Sequence, residues 1–324
     1  MTALIYWLAI KLYAVAINIA SVFNPKAKLF VKGRKGLLSN IKYALINERR
    51  PRIWMHCASL GEFEQGRPLL ERLREKHPEY AFVLTFFSPS GYEVRKDFNG
   101  ADYVFYLPLD SRNNAKKFLD VVQPRLCIFV KYDLWYFLLK QIDARNIPAI
   151  LISSIFRKQQ IFFKLYGGLN REMLYCFSKI FVQDSASLQL LQTININDAI
   201  VAGDTRFDRV VEAVKTLQPQ SIAEQFSKGA KVLVAGSTWE EDEQFLQKVL
   251  PLLPADWKLI VVPHEVHEGH IAQVQRTFGA EAIKWSEWTE GNTARVLILD
   301  KIGFLLHLYQ YARVVWIGGG FGKG

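Results

Sequence analysis

Cysteine is scarce in this 324-residue chain: Cys57, Cys127 and Cys176 are scattered and odd in number. No CxxC spacing occurs, so neither a zinc ribbon nor a disulfide framework is suggested, and the usage fits a reducing compartment. Residues 1–23, MTALIYWLAIKLYAVAINIASVF, lack charge apart from Lys11. They also lack a basic leading region and an A-x-A-like cleavage site, which argues against a removed signal peptide. Residues 24–52 are poor in acid, with Glu48 alone against nine Lys and Arg. No Walker loop is present: in GGGFGKG, Ile317 stands at the first glycine position and Gly324 at the Ser/Thr position, and G-x-G-x-x-G is not matched either. A nucleic-acid motif and interleaved aromatics are missing as well, so no nucleic-acid partner is expected.

Half of the residues are hydrophobic, enough for a substantial core, and the length allows two domains. The net charge of +10 points to an anionic partner, here an acidic membrane surface or a phosphorylated substrate. The apolar run at residues 1–23 is long enough to span a bilayer. Its Lys and Arg flank marks the cytoplasmic side and attracts anionic lipid. Lys11 and the aromatics also suit a helix lying in the membrane plane. Residues 1–23 are therefore read as a membrane anchor or interfacial helix, and 24–52 as a basic juxtamembrane segment, rather than as a buried helix with a solvated loop.

From Ile53 onward, apolar strands alternate with amphipathic helices, which predicts α/β domains with parallel sheets and helices on both faces. RIWMHCAS, YAFVLTFFS, DYVFYLPL, RLCIFVKYDLW, PAILISSI, KIFVQDS and AIVAGD read as strands of a first domain, residues 53–205. Residues 206–229 read as a linker. In the second domain, 230–324, the strands are KVLVAGS, WKLIVVPH, RVLILD and RVVWIGGG, and KIGFLLHLYQYA reads as a helix. A glycine turn after a strand normally leads into another helix, so this second domain is expected to lack its end.

Strand ends are where α/β domains bind ligands. In HCASLGEFEQG a strand ends and Glu62 opens a helix, where the helix N-terminus favours the ionised carboxylate. Ser59 and Glu62 have capping-box spacing, which is a structural reason for the same residues. Gly61 leaves room beside Glu62. In AGSTWEEDE, Gly236, Ser237 and Thr238 stand at a helix start, suited to a phosphate or to ordinary capping. Gly318, Gly319 and Gly320 form a second such strand end. His264, His267 and His270 in PHEVHEGH are spaced by three, but Pro263 and Gly269 interrupt a helix, favouring a polar loop over a metal site.

Taken in order, these pieces resemble the transferases of 3-deoxy-D-manno-octulosonic acid (Kdo) in lipopolysaccharide synthesis. HCASLGEFEQGRPLLERL resembles the family's strand–SxGE–helix element, and TFFSPSGYE its T-x-T-P-T-G segment. VKYDLWYF stands for E-T-E-L-W-P-N, VAGDTRFD for G-N-x-K-F-D, and AGSTWEEDE for G-S-T-H-x-x-E-E. LILDKIGFLLHLYQYARVVWIGGGF resembles D-x-x-G-E-L-x-x-x-Y and its glycine turn.

The resemblance implies a GT-B type glycosyltransferase, with two Rossmann-like domains facing a cleft. The acceptor side would be N-terminal and the donor side C-terminal. It implies transfer of Kdo from CMP-Kdo to the lipid A precursor (lipid IVA), with inversion, no required metal or other cofactor, and Glu62 as general base. Ser59, Gly61, Lys131 and Asp133 would be acceptor-side residues. Arg206, Ser237, Thr238, His264 and Gly318 to Gly320 would be donor-side contacts, with helix ends stabilising the leaving phosphate. The location implied is the cytoplasmic face of the inner membrane of a Gram-negative-type bacterium.

Three departures stand out. Lys131 replaces an acid, Asp133 shortens a second one, and the Arg expected before His264 is missing. The family's closing G-x-H-N-x-L-E segment, expected just after Gly324, is absent, so residues 1–324 alone are expected to bind CMP-Kdo poorly and turn over little. The alternatives are another GT-B nucleotide-sugar transferase, or a non-catalytic module that binds membrane surfaces.

Overall fold

The computed structural model describes residues 2–215 and 217–321. Two compact units divide the chain, residues 1–210 and 211–324.

Three helices open the first unit: α1 (Thr2–Ala20), α2 (Pro25–Lys32) and α3 (Leu37–Leu45). Strands and helices then alternate as β1 (Arg52–Cys57), α4 (Leu60–Lys76), β2 (Ala81–Phe86), α5 (Pro89–Arg95), β3 (Tyr103–Tyr106) and α6 (Arg112–Val122). They continue as β4 (Pro124–Val130), α7 (Tyr136–Ala144), β5 (Ala149–Ser154), α8 (Gly168–Leu174), β6 (Lys179–Val182), α9 (Ser185–Gln192), β7 (Ala199–Val201) and α10 (Thr205–Lys215). The strands pair in the order β3-β2-β1-β4-β5-β6-β7, all parallel. Strand order reverses between β1 and β4, so the crevice for a ligand opens at their carboxyl ends.

Both faces of this sheet are covered, which explains why its strands read as continuous apolar runs. Trp54, Cys127 and Phe129 enter one core with helices α3, α6 and α7. Ile53, Met55, Cys57, Ile128 and Val130 enter the other, with Phe63 and Leu70 of α4. Pleating sends alternate residues of each strand to opposite faces.

The second unit holds α11 (Ser221–Ser227), β8 (Lys231–Thr238), α12 (Glu240–Val249), β9 (Trp257–Pro263), α13 (Glu268–Phe278), β10 (Ala282–Lys284), β11 (Val296–Ile298), α14 (Leu305–Leu308) and β12 (Val314–Ile317). Its parallel sheet has the order β10-β11-β9-β8-β12, with the reversal between β8 and β12. Two Rossmann-like units in succession give the α/β, GT-B type of fold expected from the sequence.

Several local expectations differ. The helix read over 301–312 is confined to Leu305–Leu308 plus a 3-10 turn, because Gly303 sits at φ 96°, outside helical space. Residues 206–229, read as a linker, carry α10 and α11, and Ala223 and Phe226 of α11 are buried in the second unit's core. Residues 322–324, which end the glycine turn, lie outside the described residues.

Helix α1 is long and apolar enough to cross a membrane, with a mean hydropathy of 1.8 over Ala3–Ala20. One narrow seam, Ala3, Tyr6, Ile10, Ala14 and Ile17, is half-covered, and its remaining described positions are exposed. Tyr6 packs edge-on against Phe137, and Tyr13 meets Phe30 and Phe87. The Tyr6 hydroxyl donates to Asp110 at 2.8 Å. Asp110 also accepts from the backbone N–H of Phe137 and Leu138, so it caps α7, whose own N-cap residue Trp135 makes no side-chain cap.

Candidate active site

In the first unit the candidate site lies at the reversal point, where β1 runs into α4 and β4 into the Lys131–Trp135 loop. Ser59 is the extended N-cap of α4, yet its hydroxyl caps nothing. The reciprocal capping box suggested by the Ser59–Glu62 spacing is not formed. Glu62 Oε2 instead accepts the N–H of Ala58 at 2.5 Å, one residue further back. Oε1 has no hydrogen-bond partner among the described residues and is the free acceptor. Gly61 is exposed, and a Cβ there would meet nothing nearer than Ser59 Oγ at 4.0 Å.

Burial raises the Glu62 carboxyl above the ordinary carboxylate range, and the charge of Asp133 raises it further. The Ala58 N–H, His56 and Lys131 pull the other way and lose. The helix terminus was expected to hold this group ionised and correspondingly weak. Desolvation outweighs that effect, which makes Glu62 a stronger base.

Asp133 is anchored by residues that sequence reasoning missed. His56 Nε2 lies 2.6 Å from Asp133 Oδ2, and the Trp135 indole N–H donates to the same oxygen at 3.1 Å. Behind His56, its Nδ1 lies 2.9 Å from Thr85 Oγ1, which accepts the Trp54 indole N–H at 2.9 Å. Since a carboxylate only accepts, Nε2 donates to Asp133, while Nδ1 faces both the Thr85 hydroxyl and, at 3.2 Å, the Thr85 carbonyl oxygen. Trp54, Thr85 and His56 are fully buried. The signal was a lone histidine inside the apolar run of β1, which a strand buried on both faces does not bury without a partner.

Lys131 sits at φ 62° just after β4, with its N–H on the Ile152 carbonyl. Its charge acts on both Glu62 and Asp204, lowering each. The charge inversion at Lys131 is therefore matched by two neighbouring carboxylates. Arg206, expected to face a substrate anion, is ion-paired with Asp204, with Nη2 2.5 Å from Oδ2. Its guanidinium is already engaged within its own unit.

In the second unit a separate group of candidate residues gathers at the carboxyl ends of β8, β9 and β12. Ser237 and Thr238 end β8 rather than start a helix, because Trp239 is the N-cap of α12. Thr238 is fully buried and donates its hydroxyl to Glu243. Ser237 is half-buried at φ 54°. Gly318 donates its N–H to Gly236, and Gly319 donates to Asp242. Two amides expected to hold a phosphate are thus committed to the fold. The first turn of α12 carries Glu240, Glu241, Asp242 and Glu243, which offsets the positive end of the helix. Gly320 is exposed and unobstructed.

What this group does offer is an aromatic plate. His264 stacks on Trp239, with centroids 4.5 Å apart and planes at 27°. His264 is exposed and Trp239 is 40% exposed, with Gly319 beside the indole. Trp239 stands where the family motif has His, and sequence reasoning passed over it. The other histidines go elsewhere: the His267 ring accepts the His270 N–H, and buried His270 pairs with Glu243. Among the described residues no group of three or more His, Cys, Asp or Glu is placed to hold a metal ion.

Residues 31–209 match the family described as 3-deoxy-D-manno-octulosonic-acid transferase (kdotransferase). The 3-deoxy-D-manno-octulosonic acid transferase of Haemophilus influenzae is 25% identical over 95% of this chain and 73% of its own length. The enzyme of the same name from Rickettsia felis is 24% identical over 85% of this chain, and the chain spans 60% of that relative. Among solved structures, the UDP-GlcNAc 2-epimerase of Neisseria meningitidis, bound to UDP-GlcNAc, superposes with a TM-score of 0.56. It is 13% identical, with 82% of this chain and 77% of that one covered. The UDP-GlcNAc 2-epimerase of Methanocaldococcus jannaschii gives 0.51 at 13% identity, over 83% and 78%. At these identities the likeness speaks for the fold alone. Family match, relatives and the order of the motifs agree: the chain belongs to the 3-deoxy-D-manno-octulosonic-acid (Kdo) transferase family of glycosyltransferases.

Proposed function

We propose that the protein transfers Kdo from CMP-Kdo to the lipid A precursor lipid IVA, inverting the anomeric carbon, with Glu62 as general base. The observation that carries this reading is Glu62 itself: a half-buried carboxylate at the reversal point of the sheet, with one free oxygen and a raised proton affinity. A carboxylate whose proton affinity is raised by burial takes up a proton more readily, which is what deprotonation of a sugar hydroxyl requires.

In the proposed step, the acceptor hydroxyl gives its proton to Glu62 Oε1 as its oxygen bonds to the anomeric carbon. The bond from that carbon to the CMP phosphate oxygen breaks, and CMP leaves with the electron pair. One carboxylate suffices for a single displacement, and CMP departs as a stable phosphate anion, so the scheme calls for no metal. Asp133, held by His56 and Trp135, stays the fixed neighbour that keeps the Glu62 proton affinity high. Lys131 supplies the positive charge that lets two carboxylates share the site. On the donor side, the exposed Trp239–His264 plate suits stacking of the cytosine ring.

The apolar face of α1 and the Lys-rich segment after it support a seat at the inner face of the cytoplasmic membrane, where a lipid-borne acceptor resides. The test is a transfer assay on the protein with CMP-Kdo and lipid IVA, read by product mass. A mass gain of one or more Kdo with CMP release supports the reading. Release of UDP from UDP-sugars, with none of CMP, overturns it in favour of another nucleotide-sugar transferase.

A further inference from the structure

A cavity of about 1000 Å³ opens at the amino-terminal edge of the first sheet, where β1 and β4 begin. Glu62 follows the opposite, carboxyl end of β1. A six-residue strand is roughly 20 Å long, so the cavity is separate from the candidate active site.

Six cations line it: Lys42, Arg49, Arg50, Arg52, Arg125 and Arg145. Only two of its lining residues are acids, and both are engaged. Glu48 pairs with Arg50, and Asp120 pairs with Arg145. Lys42, Arg49, Arg52 and Arg125 have no carboxylate partner among the described residues. Arg52 is held in place by the carbonyls of Glu48 and Val122, and its buried Nε has no partner. A second cavity of about 680 Å³ shares Lys42 and adds Arg34 and Lys117, extending the positive field along α3.

Four uncompensated cations around one hollow repel one another, and an anion seated among them would relieve that repulsion. Guanidinium forks match the paired oxygens of a phosphate. We propose that this cavity is a binding site for a phosphate-bearing anion, either a soluble diphosphate or the headgroup of an anionic phospholipid. Exposed Ile46 and half-buried Val121 and Ile147 in the same lining give the second source a place for the root of an acyl chain. The site does not use Glu62, so an E62Q protein retains it whether or not the proposed transfer reaction is right.

The test uses the full chain and two probes: inorganic pyrophosphate by calorimetry, and phosphatidylcholine vesicles with and without phosphatidylglycerol by co-sedimentation. Arg49 and Arg125 are exposed, so R49Q/R125Q is expected to fold, with circular dichroism and melting as checks. K228Q/K248Q removes the same charge from exposed positions of the second unit, away from the Lys-rich segment after α1, and serves as the control. R49K/R125K keeps the charge and loses the fork. Saturable pyrophosphate binding that weakens about tenfold or more in R49Q/R125Q, and clearly less in the control, establishes the soluble source. If the lipid is the ligand, R49Q/R125Q loses preference for phosphatidylglycerol vesicles by a larger factor than the control does. Partial rescue by R49K/R125K is expected in either case. No saturable pyrophosphate binding together with no vesicle preference overturns the proposal. So does equal behaviour of R49Q/R125Q and K228Q/K248Q.

Discussion

His56 Nε2 lies 2.6 Å from Asp133 Oδ2, joining β1 to the loop after β4 across 77 residues of sequence. Replacing His56 by Phe keeps the ring volume and removes both polar contacts. The Thr85 hydroxyl then loses a partner in a fully buried position, and Asp133 keeps only the Trp135 indole. H56F is expected to cost about 1–3 kcal/mol in urea unfolding, the range for an orphaned buried polar group. Transfer should fall as well, because the loop bearing Lys131 and Asp133 loosens. Unchanged stability would sink the relay from Trp54 to Asp133.

How much of this was legible beforehand follows from burial. Strands covered on both faces announce themselves as apolar runs, so β1, β2, β4, β8 and β9 could be placed from residue type alone. Glu62 was legible because its motif is local. Asp110 was not, because it caps α7 from 27 residues away and leaves no mark on that helix's own sequence. The His56–Asp133 bond was hidden for the same reason. Gly318 and Gly319 could be read as strand-end glycines, but not that their amides are taken by Gly236 and Asp242. Composition shows which residues can bind; only the fold shows which are already bound.

E62Q is expected to lower transfer by about 10²–10⁴-fold, the usual contribution of a positioned base. Its fold should persist, since a buried carboxylate with raised proton affinity disfavours the folded state at neutral pH. Asp133→Asn separates the two carboxylates. It removes one cause of the raised Glu62 proton affinity, so the acid limb of kcat/KM should move to lower pH, with a lower plateau from the weaker base. An acid limb that stays put in D133N would show that Asp133 does not tune Glu62.

Gly318→Ala tests the close approach of β8 and β12. The added Cβ would fall 2.3 Å from the Ser237 carbonyl oxygen, a backbone atom that cannot swing aside. Expected is a loss of about 1–3 kcal/mol from overpacking, confined to the second unit. Hydrogen exchange resolved by segment would show it in β8 and β12, with β1 and β4 unchanged.

Trp239→Ala removes the exposed face of the aromatic plate without touching a buried contact of the sheet. If the plate carries the cytosine, KM for CMP-Kdo should rise by roughly 5–100-fold, the range for one base–aromatic stack, with kcat little changed. Loss of kcat at constant KM would place Trp239 in structural support of the Asp242 turn instead.

Asp110 supplies a pH dependence whose sign can be worked out. Burial raises its carboxyl from 3.8 to about 6, against the opposing hydrogen bonds from Tyr6, Phe137 and Leu138. Between those two values the folded chain holds a proton that the unfolded chain releases. Its contribution to stability is therefore full below pH 3.8 and lost as pH rises through about 6, amounting to about 3 kcal/mol at most. Glu48, lowered to about 2 chiefly by its hydrogen bond with Arg50, acts in the opposite sense as the solution becomes acid. Subtracting Asp110→Asn from wild type isolates the Asp110 share. Urea unfolding at a series of pH values between about 4 and 7 should show the wild-type chain gaining stability relative to D110N as pH falls. The same substitution should loosen α1, because Tyr6 loses its charged acceptor, and amides of α1 should exchange faster in D110N at neutral pH. A stability difference that does not vary with pH would mean that Asp110 titrates alike in the folded and unfolded chains, and that its cap on α7 is a purely geometric one.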